Sequence, residues 1–172
     1  TKLGIIHNVV YAPFSQGQPT QVDGVMVQKP DIAGMIKQDD AFVTLESLET
    51  IEQGLCVKDP NNNVDKAAIK RLNLDFDNCI LWHGMEARTK SGKSLGYVSG
   101  AEFDHLTGVV SAFLVGDGAG SEALVGSFSI KSEWLLGYYN GSMILSDEAA
   151  DAQLTGGLAA KAGEGYAAAA AK

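Results

Sequence analysis

The sequence predicts a mainly β chain: two small barrels or sandwiches in tandem, joined by a short helix and followed by an Ala/Gly-rich helical tail. Three observations predict it. Residues 95–116 read as one β-hairpin, residues 3–27 repeat it, and the short strands after each hairpin recur at similar spacing. The arms 96–103 and 109–115 are rich in Val, Phe, Leu and Tyr. Between them Asp104-His105-Leu106-Thr107-Gly108 is polar and ends in a glycine that can take the positive φ a short hairpin loop needs.

Taken in order, Leu3-Gly4-Ile5-Ile6 aligns with Leu95-Gly96-Tyr97-Val98 at an offset of 92 (95 − 3), and Tyr11 aligns with Phe103 at the same offset. Residues 12–20 hold Pro13, Gly17 and Pro19 and form a turn. The returning strand Val22 to Val27 matches Val110 to Val115 at an offset of 88 (110 − 22), so the first copy has the longer loop. An insertion at 28–41 with Pro30 and the run Ile32-Ala33-Gly34-Met35-Ile36 reads as a helical turn or an exposed loop. Phe42-Val43-Thr44-Leu45 then pairs with Ser127-Phe128-Ser129-Ile130, each followed by a stretch read as an acidic turn (46–52 and 131–139) and by a closing strand (54–57 and 141–144). Equivalent apolar sets place Val25, Val27, Phe113 and Val115 on inward faces.

Residues 59–63 are turn-rich, and Asp65-Lys66-Ala67-Ala68-Ile69-Lys70-Arg71-Leu72 has the acidic start and basic end that suit a helix. The apolar run 79–82 precedes the strand 85–89 and the turn 90–93 that open the second copy. Nothing in the first copy corresponds to strand 85–89, so an open sheet edge is expected there. It would be filled by residues 79–82, by the C-terminal segment or by a strand from a second chain, and a homodimer through this edge is the expected outcome. The tail from Asp147 begins as a helix, breaks at Gly156-Gly157 and becomes low-complexity, with little apolar area to bury. The expected divisions are residues 1–59, a helical linker 60–78, residues 79–147 and a tail 148–172.

A Leu-Gly-x-Val strand, a hairpin with an acidic-Thr-Gly turn, an apolar strand and a short Phe-x-Leu/Ile strand together resemble the PRC-barrel family. That family is named for the photosynthetic reaction centre H subunit and includes the C-terminal domain of a bacterial ribosome-maturation factor. The resemblance covers residues 3–145 as two copies. It implies small β-barrels that act as protein-docking or assembly modules without catalysis of their own, and its motifs are packing and turn residues that say little of function.

Charge and motifs narrow the function classes. Lys and Arg number 13 against 21 Asp and Glu, a formal net charge of −8, with no basic patch of the kind that neutralises phosphates, so nucleic acid is not an expected partner. Cys56 and Cys79 sit among apolar residues without Cys-x-x-Cys spacing and read as small core thiols. No apolar run reaches the ~20 residues of a membrane span, and no signal peptide is visible, so a reducing cytoplasm is expected. His105 beside Asp104 and Glu102 is raw material for a metal site or a general base, although Asp-x-x-Thr-Gly is also good turn chemistry and the matching turn of the first copy has no acid or histidine. His7 and His83 are isolated among apolar residues. The glycine-rich stretch 116–120 lacks a P-loop Lys-Ser/Thr pair, and Gly126-Ser127-Phe128-Ser129 lacks the second glycine of a nucleophile elbow, so no catalytic residue and no cofactor is expected. Trp134, Tyr138 and Tyr139 are candidate partner-binding anchors. The leading expectation is a non-catalytic docking module. Its rivals are a metal-binding protein or small enzyme built on His105, and an RNA or ribosome-assembly factor.

Overall fold

A computed structural model of the chain describes residues 2–116 and 127–154. The chain divides into two compact units. The first comprises Thr1–Pro13, Thr20–Leu81 and Asp104–Val109, the second Phe14–Pro19, Trp82–Phe103 and Val110–Lys172. The first unit contains strands β1 (Ile5–Tyr11), β2 (Val22–Gln28), β3 (Ala41–Thr44), β4 (Leu48–Ile51) and β5 (Gly54–Val57), then helices α1 (Pro60–Asn63) and α2 (Asp65–Leu72). The second contains β6 (Glu86–Thr89), β7 (Ser94–Phe103), β8 (Val110–Gly116), β9 (Phe128–Lys131), β10 (Leu135–Tyr139), β11 (Ser142–Leu145) and α3 (Ala149–Leu154).

The duplication extends to backbone register. β1 and β2 pair antiparallel from Ile5↔Gln28 to Tyr11↔Val22, with shifts after Ile6 and Val10. β7 and β8 pair from Tyr97↔Gly116 to Phe103↔Val110, with shifts after Val98 and Glu102. Offsets of 92 on the first strand (97 − 5) and 88 on the second (116 − 28) convert one ladder into the other, both bulges included. Each bulge adds an unpaired residue and bends its strand, so both hairpins coil at the same two points.

Further along, the sequence reading needs two corrections. β3 pairs with β2 through Gly24↔Thr44 and Val27↔Ala41, and β9 pairs with β8 through Ala112↔Lys131 and Val115↔Phe128. Ala41 thus corresponds to Phe128, an offset of 87 (128 − 41) where the sequence alignment had placed 85. All four residues of β3 are buried, so apolar alternation could not fix its register. The stretches read as acidic turns are each a 3-10 turn (Leu45–Ser47 and Ser132–Trp134) followed by a strand, β4 or β10. Their charged or aromatic residues face outward and hide the strand pattern.

One strand separates the two copies. In the second unit the sheet order is β10-β11-β6-β7-β8-β9, with β6 parallel to β11 and antiparallel to β7. Its outermost strands β9 and β10 are joined only by Ser132–Trp134, so the sheet must curl until its edges lie within a few residues' reach of each other. In the first unit no described strand takes the place of β6, and two separate sheets result, β1-β2-β3 and β4-β5. The closed barrels expected from the sequence are therefore not formed: the fold is mainly β with several antiparallel sheets, none closed by backbone pairing among the described residues. Of the substitutes expected for the missing strand, the run 79–82 contributes a single antiparallel bridge, Ile80 to Tyr11, at the far end of β1, with both backbone hydrogen bonds 2.9 Å.

The cores follow from the inward faces. Val25, Val27, Ala41 and Val43 form one buried cluster in the first unit, flanked by Leu3, Leu48, Val57 and Val64. Val10, Phe42 and Ala68 form another, where Phe76 meets Phe42 edge-on at 5.1 Å. Ala68 lies on α2, so the helical segment expected as a linker packs into the first unit's core. Gly24 is required by this packing, because a Cβ there would lie 2.2 Å from the Val43 carbonyl oxygen. In the second unit Trp82 is fully buried against Phe113, ring centroids 6.4 Å apart, and Val115 is buried as expected. The insertion between β2 and β3 is a tight turn with Ile32 bridged to Ile36 and Ala33 and Gly34 at positive φ. The helix expected after Asp147 is α3. The glycine-rich stretch beyond Gly116, Gly126 and the tail beyond Leu154 lie outside the described residues.

Trp82 is the largest fully buried side chain. Trp82→Ala is expected to lower stability by about 3–5 kcal/mol, the scale for a buried aromatic, read by denaturant unfolding. Trp82→Phe should recover most of that loss.

Candidate functional site

Turn chemistry accounts for the acidic residue beside His105. Residues 104–108 close with Gly108 at φ +75°, and the Gly108 N–H donates to the Asp104 carbonyl at 2.7 Å. One Asp104 carboxylate oxygen accepts from the backbone N–H groups of Leu106 and Thr107, both at 2.8 Å. Those bonds, the Thr107 one foremost, hold its pKa below the ordinary value. Glu102 and His105 are exposed. Among the described residues, no group of three or more His, Cys, Asp or Glu could hold a metal ion.

The three aromatic candidates fall along one short segment. Trp134 ends the 3-10 turn and is half-buried, with the Lys131 ammonium 5.6 Å from its ring centroid. Tyr138 leans edge-on against Trp82 at 6.4 Å while remaining 54% exposed, and Tyr139 is 69% exposed. The register shift between Leu135 and Gly137 re-aims the end of β10, and the Phe14 ring lies close over Gly137. Leu136, exposed on the same strand, was not singled out from sequence. It also lines a shallow cleft with Lys90, Ser146, Asp147, Glu148 and Asp151. Leu136 thus sets an exposed apolar side chain beside an acidic flank. Asp147 is held below its usual pKa chiefly by hydrogen bonds from Ser91, whose backbone N–H donates to it at 3.0 Å, so it is anionic at neutral pH.

A second exposed apolar cluster, Ile32, Met35 and Ile36 around the Ala33-Gly34 turn, lies in the run read from sequence as a helical turn or an exposed loop but not as a candidate site, with Met35 83% exposed. Three large apolar residues within a turn, with no periodicity to bury them, were the available signal. His7 is exposed and meets Asp40 at 2.7 Å, whereas burial lowers the pKa of His83.

The cysteines separate. Cys79 is half-buried, its Sγ 3.6 Å from an Asp23 carboxylate oxygen and 3.4 Å from the Asp75 carbonyl. Burial, reinforced by the Asp23 charge, pushes its thiol up to about 12. Cys56, expected in the core, is exposed on β5. Its register position pairs it with Glu49, on the outward side of the two-stranded sheet. No helix among the described residues is long and apolar enough to cross a membrane.

This contrast sets a measurable outcome. Alkylation at pH 7.5 should modify Cys56 readily and leave Cys79 nearly untouched, because the thiolate is the reactive form and a raised pKa keeps Cys79 protonated. Peptide mass mapping over a time course checks this, and unfolding should equalise the two rates.

Compared with known proteins, the chain matches no family model, and no curated protein matches it in sequence.

Proposed function

We propose that the chain is a non-catalytic protein-docking module of the PRC-barrel type, working in a reducing compartment such as the cytoplasm. The observation that carries the docking reading is β10: Leu136, Tyr138 and Tyr139 are large and exposed within one stretch of four residues, and Leu136 lines a cleft with Asp147, Glu148 and Asp151. Tyr is enriched at the energetic centres of interfaces because it offers a large rigid surface with a polar tip. The acidic flank selects a partner surface that presents apolar residues next to Lys or Arg. The duplicated order of hairpin, third strand, 3-10 turn and closing hairpin supports the PRC-type reading, and the curl imposed by Ser132–Trp134 is what a barrel of that size requires. The metal or general-base reading of His105 is not adopted, since hydrogen bonds within the turn account for Asp104 and leave the cluster no structural requirement for a metal.

The test compares the full chain with a Leu136→Ala/Tyr139→Ala variant in pull-downs from the source cell. A partner retained by the native chain should bind the variant roughly tenfold or more weakly, the scale of an aromatic hot spot, while the melting temperature stays unchanged. Equal capture by both proteins would remove β10 as the docking face.

A further inference from the structure

We propose that the first unit is a strand acceptor: the open edges of β1 and β5 together take one extended peptide segment, antiparallel to β1 and parallel to β5, with small uncharged side chains at its second and fourth positions. This surface is separate from the β10 face, and the inference does not rest on the reading of that face.

The second unit supplies the template. There β6 lies between β7 and β11, in register Glu86↔Tyr97, Ala87↔Gly96 and Arg88↔Ser94 on one side and Ser142↔Glu86 to Leu145↔Thr89 on the other. Just before it, the Val98 N–H donates to the Met85 carbonyl at 2.9 Å and the Gly84 N–H donates to the Val98 carbonyl at 2.7 Å. The offset of 92 carries the β7 partners onto Lys2, Gly4, Ile5 and Ile6, and matching the closing hairpins at their turns, Ile51↔Gly54 with Tyr139↔Ser142, carries β11 onto Gly54 to Val57 at 88 (142 − 54), one residue on from the sequence match of 54–57 with 141–144. Among the described residues, no strand takes the intervening place.

Side-chain exposure marks the same place. Ile6 is 38% exposed where its counterpart Val98 is 2%, and Leu55 is 52% exposed where Met143 is 0%. Leu3 and Val57, one from each edge, both pack on the Val25, Val27, Ala41 and Val43 cluster, so the two edges border one core. In the second unit the intervening strand seats Ala87 and Thr89 inward, fully buried, and turns Arg88 to solvent. A segment with that alternation would cover the exposed apolar groups of the first unit and pair two rows of backbone groups at once.

The need for two pairing edges decides the occupant. A sheet-edge strand of a second copy has one edge already engaged with its own neighbour, so it can satisfy β1 or β5 but not both. Only an extended segment without sheet partners of its own satisfies both.

The probe is a capped synthetic peptide of residues 84–90, added in trans to the full chain. In the proposed register the peptide's Arg88 position lies beside Cys56, because Arg88 pairs with Ile144 and Ile144 corresponds to Cys56. Under mild oxidation an Arg88→Cys peptide should form a disulfide with Cys56 about tenfold faster than an Ala87→Cys peptide, whose thiol points to the opposite face beyond bridging geometry. Excess unmodified peptide should suppress the reaction. Equal rates for the two peptides, or no suppression, would overturn the proposal. Light scattering across a dilution series covers the other occupant: a dimer that blocks trapping and does not dissociate with peptide would overturn it in favour of a second copy.

Discussion

Every extended strand in this protein carries backbone donors and acceptors on two edges, and the requirement that both rows find partners constrains how its sheets assemble. β6 meets that constraint for the second unit. By pairing with β11 on one side and β7 on the other, it links the closing hairpin to the opening hairpin and makes six strands one sheet. The burial of Leu95, Val98, Met143 and Leu145 depends on that link, because each lies on a strand adjoining β6. The same hairpins in the first unit, with no linking strand among the described residues, form a three-stranded and a two-stranded sheet with partly exposed apolar edges. A change of one short strand thus alters sheet continuity, core coverage and surface chemistry together.

Much of this was legible in the sequence, and the limits have physical causes. The hairpin repeat could be read because its arms carry equivalent apolar residues although their turns differ, and the offsets of 92 and 88 then held down to the bulges. β4 and β10 were hidden because Glu49, Thr50 and Ile51 are exposed in succession in one copy and Tyr138 and Tyr139 in the other, so neither shows a clean alternation. The register of β3 was hidden for the opposite reason, since Ala41, Phe42, Val43 and Thr44 are all buried. Cys56 was misplaced because its apolar neighbours suggested a core strand, whereas in β5 Gly54, Leu55 and Cys56 are exposed and Val57 alone is half-buried.

The candidate site was legible in part. Tyr138 and Tyr139 stand out as aromatics in a polar stretch, but Leu136 gains meaning only once β10 places it beside the acidic residues at the start of α3. His105 illustrates the converse. Its neighbour Asp104 has a carboxylate oxygen committed to two backbone N–H groups, so proximity in sequence to a histidine reflects the needs of a turn.

Amide hydrogen exchange at two equivalent residues separates the strand position that β6 fills in the second unit from the one that no described strand fills in the first. The Val98 N–H is bonded to the Met85 carbonyl at 2.9 Å, whereas its counterpart on Ile6 faces the open edge of β1. Exchange should be slow at Val98 and close to that of an unprotected amide at Ile6, measured on the same chain. Equal protection at the two positions would contradict it.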